Sequence, residues 1–250
     1  MLTAAALAGL PEIEQGADLA VLIAAAAQGD LALEAGDVVV VAHKAVSKSE
    51  GRIQALADVS PGGRARELAR ELGKDPRQVQ VILDESREVL RAERGVLICV
   101  THHGFVCANA GVDASNASTP GTVITLPRDP DGSARALRAR LHALTGVRPG
   151  VVITDSFGRA WRQGQCDIAI GCAGISPFDD WRGRTDRAGR ELHATLLATA
   201  DELAAAADLV RTKDGGQPVI IVRGAGRHVT DADGPGAVAL IRPAAEDLFR

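Results

Sequence analysis

A chain of 250 residues with 46% hydrophobic content is long enough to bury one full core or two smaller ones. Aromatics make up only 2% and tyrosine is absent, which leaves little material for stacking nucleic-acid bases, and a net charge of −4 offers no basic excess to neutralise a polyphosphate backbone. Nucleic acid is not an expected partner, and any anionic ligand must be small and met locally by a few side chains.

The N-terminal stretch "MLTAAALAGLPEIEQGAD" has no basic region and meets Pro11 and Glu12 early, so it does not have the pattern of a signal peptide. The longest apolar run, residues 19–27, falls far short of the roughly 20 residues of a membrane span. A cytoplasmic protein with no membrane partner is expected. "GDVVVVAHKAVSKSEGR" predicts a buried strand over residues 37–42 followed by a polar loop carrying Lys44, Lys48, Glu50 and Arg52. "PGGRARELARELGKDPR" predicts a short helix stopped by glycine, with a proline beyond. In "GVLICVTHHGFVCANAGVD" two short apolar runs flank His102, His103 and Gly104, the pattern of a hairpin whose far end opens into a polar loop over residues 109–118. The two histidines decorate the turn.

In "DGSARALRARLHALTG" the residues Leu137, Leu141 and Leu144 fall at helical spacing, with Asp131 or Ser133 to cap the start and Gly146 to end it. A strand over residues 151–154 leads into "TDSFGRAWRQG", and "CDIAIGCAGI" predicts a further buried strand. The spacing of Leu192, Leu196, Leu203 and Val210 predicts one long helix over residues 190–210, then a strand over 218–222 and a tail that is helical in part. Strands and helices mix, but hairpins interrupt any βαβ alternation, which favours α+β or an irregular α/β arrangement over a doubly wound sheet. Cys99, Cys107, Cys166 and Cys172 show no C-x-x-C spacing and sit in apolar surroundings, the pattern of buried free thiols.

Two acids end strand-like segments and enter polar loops: Asp113 in "NAGVDASN" and Asp155 in "ITDSFGR". With the hydroxyl of Ser156 they are candidate ligands of Mg²⁺ or Mn²⁺, hard cations bound by one or two carboxylates while phosphate oxygens and water complete the shell. The competing reading is that each acid caps a turn. Lys48 offers a point charge to phosphate, and Arg159 and Arg162 offer paired donors to phosphate or carboxylate, unless they form a solvated face. Neither a G-x-x-x-x-G-K-[ST] phosphate loop nor a G-x-G-x-x-G dinucleotide fingerprint occurs, and no serine has the G-x-S-x-G context of a hydrolase.

"VSKSEGR" (residues 46–52), "GFVCANAGVDASN" (104–116), "ITDSFGRAWRQGQCDIAIGCAGI" (153–175) and "ADELAAAADLV" (200–210) stand in order across the chain and resemble the coenzyme F420-0:γ-glutamyl ligase family. The resemblance implies an unusual α+β fold with mixed sheets and hairpins, forming an intertwined homodimer. It implies one ligase domain over residues 1–250, in two closely joined sub-domains, without the C-terminal nitroreductase-like domain that some members carry. The implied reaction joins L-glutamate to the carboxylate of coenzyme F420-0 at the expense of GTP, through an acyl phosphate, and then adds further γ-linked glutamates. The implied cofactors are Mg²⁺ or Mn²⁺, two ions, with a monovalent cation such as K⁺.

Carried over by position, Asp113 and Asp155 resemble the ligands of one metal, and Ser156 stands near a second. Leu10, Pro11, Glu12 and Ile13, together with His43, Lys48 and Asn116, match nucleotide-binding positions. The loop over residues 211–218, with Lys213 and Asp214, matches another nucleotide-contacting segment. Asp155, Arg159 and Arg162 are the expected catalytic residues, the two arginines meeting anionic substrate groups. The chain departs from the family pattern at His43, where a small hydroxyl residue is common, at Ala160 and Gln163 in place of Pro and Asn, and at Lys213 and Asp214, where a Glu or Gln can approach the second metal. Two other readings of the residues are a ligase of the same fold acting on a different carboxylate and a non-catalytic binder of nucleotide or coenzyme.

Overall fold

The structure, a computed structural model, describes residues 1–115, 119–212 and 215–248. The chain opens on β1 (Thr3–Ala6) and α1 (Leu19–Ala26), whose N-cap Asp18 accepts a hydrogen bond from the Val21 amide. The predicted strand is β2 (Val38–Ala42), but it runs straight into α2 (His43–Ser49) rather than a polar loop. Ala45 and Val46 bury in the core while Lys44 stays at the surface, and a helix of 7 residues is too short for its period to show in the sequence.

There follow β3 (Ile53–Ala55), α3 (Gly63–Leu72) and α4 (Pro76–Asp84). Helix α3 ends as predicted on Gly73, in the left-handed region at φ 64°. Pro76 does more than lie beyond that end. It opens α4 behind the cap Asp75, at a position where its missing N–H would have had no helical partner. The predicted hairpin is β5 (Val96–Thr101) with β6 (Val106–Ala108), and β4 (Ser86–Glu93) joins it as a third strand. A separate two-stranded sheet pairs β3 with β7 (Thr122–Ile124).

The amphipathic helix is α5 (Pro130–Thr145), ended by Gly146 at φ 75° and capped by Asp129 rather than by Asp131 or Ser133. The last elements are β8 (Gly150–Arg159), β9 (Arg162–Ala173), β10 (Asp179–Asp180), β11 (Leu196–Leu197), α6 (Thr199–Asp208) and β12 (Val219–Arg223). Only the second half of the predicted helix over residues 190–210 forms. The backbone of Leu192 instead bonds to Gly183 and Arg184, and β11 pairs with β10, so the leucines of this stretch lie on an extended return with Leu196 and Leu197 exposed. The tail holds short 3-10 turns at Gly226–His228, Ala237–Leu240 and Ala244–Glu246.

The main sheet has the order β1-β12-β2-β8-β9. Within it β2 and β8 run parallel, and every other neighbouring pair is antiparallel. Val39, Val41, Val151, Ile153 and Ile221 pack toward α1 and α5, whereas Val38, Val40, Val152, Ile220 and Val222 pack toward α6. Helices on both faces explain why the four consecutive valines of β2 are all fully buried. A third apolar cluster joins α3, α4 and β5 through Leu68, Val79, Ile82, Leu97 and Cys99. The architecture is mixed α+β with several small sheets around one large one.

Helix α5 also clamps the segment after β12. Arg138, 1% exposed, donates to the carbonyls of Pro149 (2.8 Å), Thr230 (2.5 Å) and Asp231 (3.1 Å) and to Asp233 Oδ1 (2.6 Å). Asp131, predicted as a cap, is buried and accepts instead from the amides of Cys172 (2.8 Å), Ala237 (2.7 Å) and Val238 (3.2 Å). Gly236 lies against it at φ 86°, and a Cβ there would sit 2.4 Å from the Asp131 carboxylate. Arg138→Ala removes the guanidinium donors from the buried Pro149 carbonyl, from two less buried carbonyls and from the part-exposed Asp233 carboxylate, so it should lower stability by about 2–4 kcal/mol, measured as a shift in the urea midpoint.

All four cysteines are free, and three are buried. Burial, with smaller contributions from the neighbouring carboxylates of Asp155 and Asp131 respectively, pushes the thiols of Cys107 and Cys172 up to about 12, and burial raises Cys99 as well. A maleimide at pH 8 should therefore label half-buried Cys166 in the folded protein and reach the other three only on unfolding. Rapid labelling of several cysteines under native conditions would contradict this core.

Candidate active site

Parallel pairing in register sets Val38 opposite Gly150 and Ala42 opposite Thr154. The next residues along the chain are His43, the first of α2, and Asp155, which lies within β8 rather than at the strand end expected from the sequence because β8 runs on as a hairpin with β9. They emerge side by side where β2 stops, with His43 Nε2 3.2 Å from Asp155 Oδ1. Carboxyl ends of parallel strands are where open sheets containing them place ligands. A cavity of about 740 Å³ opens there, walled by Pro11, Glu12 and Ile13 on one side, by His43, Lys44 and Lys48 of α2, and by Thr154, Asp155, Ser156 and Asp167 of the β8–β9 pair.

The charges in this cavity are already partnered. Lys44 Nζ lies 2.6 Å from Asp113 Oδ2 and 2.7 Å from Ser115 Oγ, and Lys48 Nζ lies 2.5 Å from Glu12 Oε1. Burial by itself would raise the Asp113 carboxyl, but the Lys44 ammonium and the Ser115 amide and hydroxyl together hold it below the usual carboxylate value. Deeper in, Asp167 is 2% exposed and, among the described residues, accepts hydrogen bonds from Ser156 Oγ (2.6 Å), Thr154 Oγ1 (2.9 Å) and Arg211 Nη1 (2.6 Å). Arg211 is itself largely buried, which pulls its guanidinium below the usual value against the pull of Asp167 and Asp208.

The fold thus gathers Pro11, Glu12, Ile13, His43, Lys48, Asp113, Asp155 and Ser156 around one cavity. Leu10 does not line it and packs instead against the core beside α1. Arg159 and Arg162 stand opposite each other at the exposed tip of the β8–β9 hairpin, where Arg159 Nη2 donates to the Gln163 carbonyl at 2.5 Å, so within one chain they do not reach the cavity. Asn116, Lys213 and Asp214 lie outside the described residues. The sequence does not single out Thr154 or Asp167, and it offers Arg211 only as the first residue of the nucleotide-contacting loop over residues 211–218. The one available signal was an acid inside the apolar run "CDIAIGCA", since a charge in a doubly covered strand needs a partner.

Among the described residues no three His, Cys, Asp or Glu side chains cluster closely enough to hold a metal ion. Asp113, Asp155 and Ser156 nevertheless share the cavity wall, and their oxygens suit Mg²⁺ or Mn²⁺. Two carboxylates are enough where phosphate and water supply the remaining ligands.

The acids, lysines and hydroxyls around this cavity suit a small anionic ligand together with a cation. The model of the F420-0:Gamma-glutamyl ligase family matches residues 9–224. The chain is 47% identical over 241 residues to the coenzyme F420:L-glutamate ligase of Methanopyrus kandleri, covering 96% of this chain and 94% of that one. It is 44% identical over 244 residues to the protein of the same name from Methanothermobacter thermautotrophicus (97% and 96%), and 42% identical over 253 residues to that from Haloarcula marismortui (98% and 94%). The chain belongs to the F420-0:gamma-glutamyl ligase family and is an enzyme of the amide-forming ligase class.

Replacing Lys44 by Met should weaken the downward shift of Asp113, because the ammonium's hydrogen bond and charge are lost while burial and the Ser115 bonds remain. In wild type the depressed carboxyl contributes stability above its unfolded value of 3.8, and that contribution is lost as pH falls through the folded value. In the variant Asp113 should titrate at a higher pH than in wild type, read by NMR of its carboxyl carbon, and the stability that the depressed carboxyl contributes should shrink.

Proposed function

We propose that this enzyme joins L-glutamate to the carboxylate of coenzyme F420-0 at the expense of GTP, and then adds further γ-linked glutamates. The observation that carries the reading is that Asp113, Asp155, Ser156, Lys44 and Lys48 converge on one cavity in a chain that matches ligases of this name along nearly its whole length. In the first step an oxygen of the F420-0 carboxylate attacks the terminal phosphorus of GTP. The new O–P bond forms as the bond to GDP breaks. The amine of L-glutamate then attacks the carbonyl carbon of the acyl phosphate, the C–N bond forms, phosphate leaves, and the amine loses a proton.

The chain's residues set up this sequence. Lys48 and Lys44 supply point charges to the phosphates, for which they exchange their resting partners Glu12 and Asp113. Once released, Asp113 would hold a divalent ion together with Asp155 and the Ser156 hydroxyl. When bound, that ion neutralises triphosphate charge and so favours attack by an anionic carboxylate. Pro11, Glu12 and Ile13 close one side of the cavity, placing them against the nucleotide. The roles of Arg159 and Arg162 toward an anionic substrate need a homodimer, in which the exposed hairpin tip of one copy reaches the site of the other. The adjacent Trp161, 88% exposed, gives that tip a large apolar surface to bury. Such a biosynthetic, GTP-using enzyme would work in the cytoplasm.

Incubating the protein with F420-0, L-glutamate, GTP and Mn²⁺ should yield products heavier by successive glutamate residues in a mass spectrum. A panel of other carboxylates separates this substrate from a different acceptor, and no addition with any metal would refute ligation. Asp155→Asn keeps the size of the side chain and removes a charged oxygen donor. It should reduce turnover by at least roughly 100-fold with an unchanged unfolding midpoint. Full activity in that variant would remove Asp155 from the mechanism.

A further inference from the structure

The Asp167–Arg211 pair holds a feature that the nucleotide and metal assignments leave unused. Arg211 Nη1 is committed to Asp167 Oδ2 at 2.6 Å and to Thr154 Oγ1 at 3.1 Å. Among the described residues neither Nε nor Nη2 of Arg211 finds an acceptor, although both are buried and the residue lines the 740 Å³ cavity. In a guanidinium Nη1 lies on the side of Cδ, so Nε–H and Nη2–H point the same way from the opposite edge. That edge is the one that grips carboxylate or phosphate with two parallel hydrogen bonds. Orphaned donors on a side chain 8% exposed are costly unless a ligand meets them.

We propose that Asp167 is a positioning residue, which holds Arg211 so that its Nε–Nη2 edge receives an oxyanion of a substrate, and which orients the Ser156 hydroxyl from the same carboxylate. Asp167 stands opposite Ser156 across the β8–β9 pair, which keeps its two oxygens apart in function. Oδ1 takes the Ser156 proton at 2.6 Å, while Oδ2 takes Thr154 and Arg211. One buried carboxylate therefore couples the orientation of a hydroxyl on the metal-facing wall to that of an oxyanion fork. Which oxyanion docks, a phosphate of GTP or a carboxylate of L-glutamate or F420-0, rests on the proposed function. The fork itself rests on the geometry.

The test uses the intact protein and its variants Arg211→Lys and Asp167→Asn, with calorimetric titration of GTP and of L-glutamate and steady-state KM and kcat for all three substrates. Lysine keeps the charge beside Asp167 but has no paired edge, so Arg211→Lys should weaken one ligand by roughly 10- to 100-fold, with KM rising far more than kcat falls. Asp167→Asn should weaken the same ligand, and the double variant should be no worse than Arg211→Lys, because Asp167 acts on that ligand through Arg211. A loss confined to GTP identifies the oxyanion as phosphate, and a loss confined to L-glutamate or F420-0 identifies it as carboxylate. If Arg211→Lys fails to fold, Asp167→Asn, a near-isostere, carries the test by itself. A wild-type protein that makes no product but loses affinity for GTP or L-glutamate on Arg211→Lys would refute the proposed function and keep the fork. Folded variants that bind and turn over every substrate as wild type does, or a wild type that binds none, overturn the fork.

Discussion

The parallel, in-register pairing of β2 with β8 is the constraint from which the rest of the site follows. It is the one parallel contact in a sheet otherwise built from antiparallel neighbours, and it brings the end of β2 alongside the middle of β8. His43 and Asp155 meet because Ala42 and Thr154 are paired, and α2 starts at that edge because β2 stops there. Were the register to slip by one residue, each side chain of β2 would exchange the α6 face for the α1 and α5 face; four identical valines do not oppose that exchange, but buried Asp37 would lose Arg223 and His43 would lose Asp155. The valines supply the burial, and the polar residues at either end of β2 fix the register that brings His43 to Asp155.

The cavity is neutralised from within. Each cationic group described around it rests against an acid: Lys44 on Asp113, Lys48 on Glu12, Arg211 on Asp167. These pairs differ in depth. Glu12 is largely exposed, so its hold on Lys48 is weak and readily exchanged, whereas Asp167 and Arg211 are both buried and stay together. An anionic ligand therefore meets a surface whose outer pairs can open while the inner pair keeps its geometry. Such a division separates binding, which has to be reversible, from orientation, which must not drift.

Much of this was legible in the residues, and the failures have specific causes. The apolar runs of β2, β8, β9 and β12 declared themselves because a strand covered on both faces needs unbroken hydrophobicity. Asp113, Asp155 and Ser156 were visible as polar residues beside apolar runs, but the strand expected to stop at residue 154 runs on to Arg159, so Asp155 and Ser156 lie within β8, and Asp113 makes only an isolated bridge to Ile124. Helix α2 was not, because 7 residues carry too little period, and the leucines near residue 192 imitated a helix while their backbone was engaged with residues 183–184. Asp131 illustrates a different limit. A residue with all the marks of a helix cap serves the far end of the chain, and nothing local announces a partner 106 residues away. Arg211 and Asp167, 44 residues apart, were hidden for the same reason.

The strand order carries a consequence for how the chain is made. β12, formed by residues 219–223, lies between β1 and β2, formed by residues 3–6 and 38–42, and bonds to both. On a ribosome the first two strands leave the exit tunnel long before the strand that separates them exists. One edge of the valine-rich β2 therefore waits with its backbone groups unpaired until some 180 further residues have been added. Contacts this distant in sequence make for slow closure and leave a sticky edge exposed in the interval. The central sheet that carries the site is thus among the last parts of the molecule to be completed, and chaperone demand should fall on the nascent chain rather than on the finished enzyme.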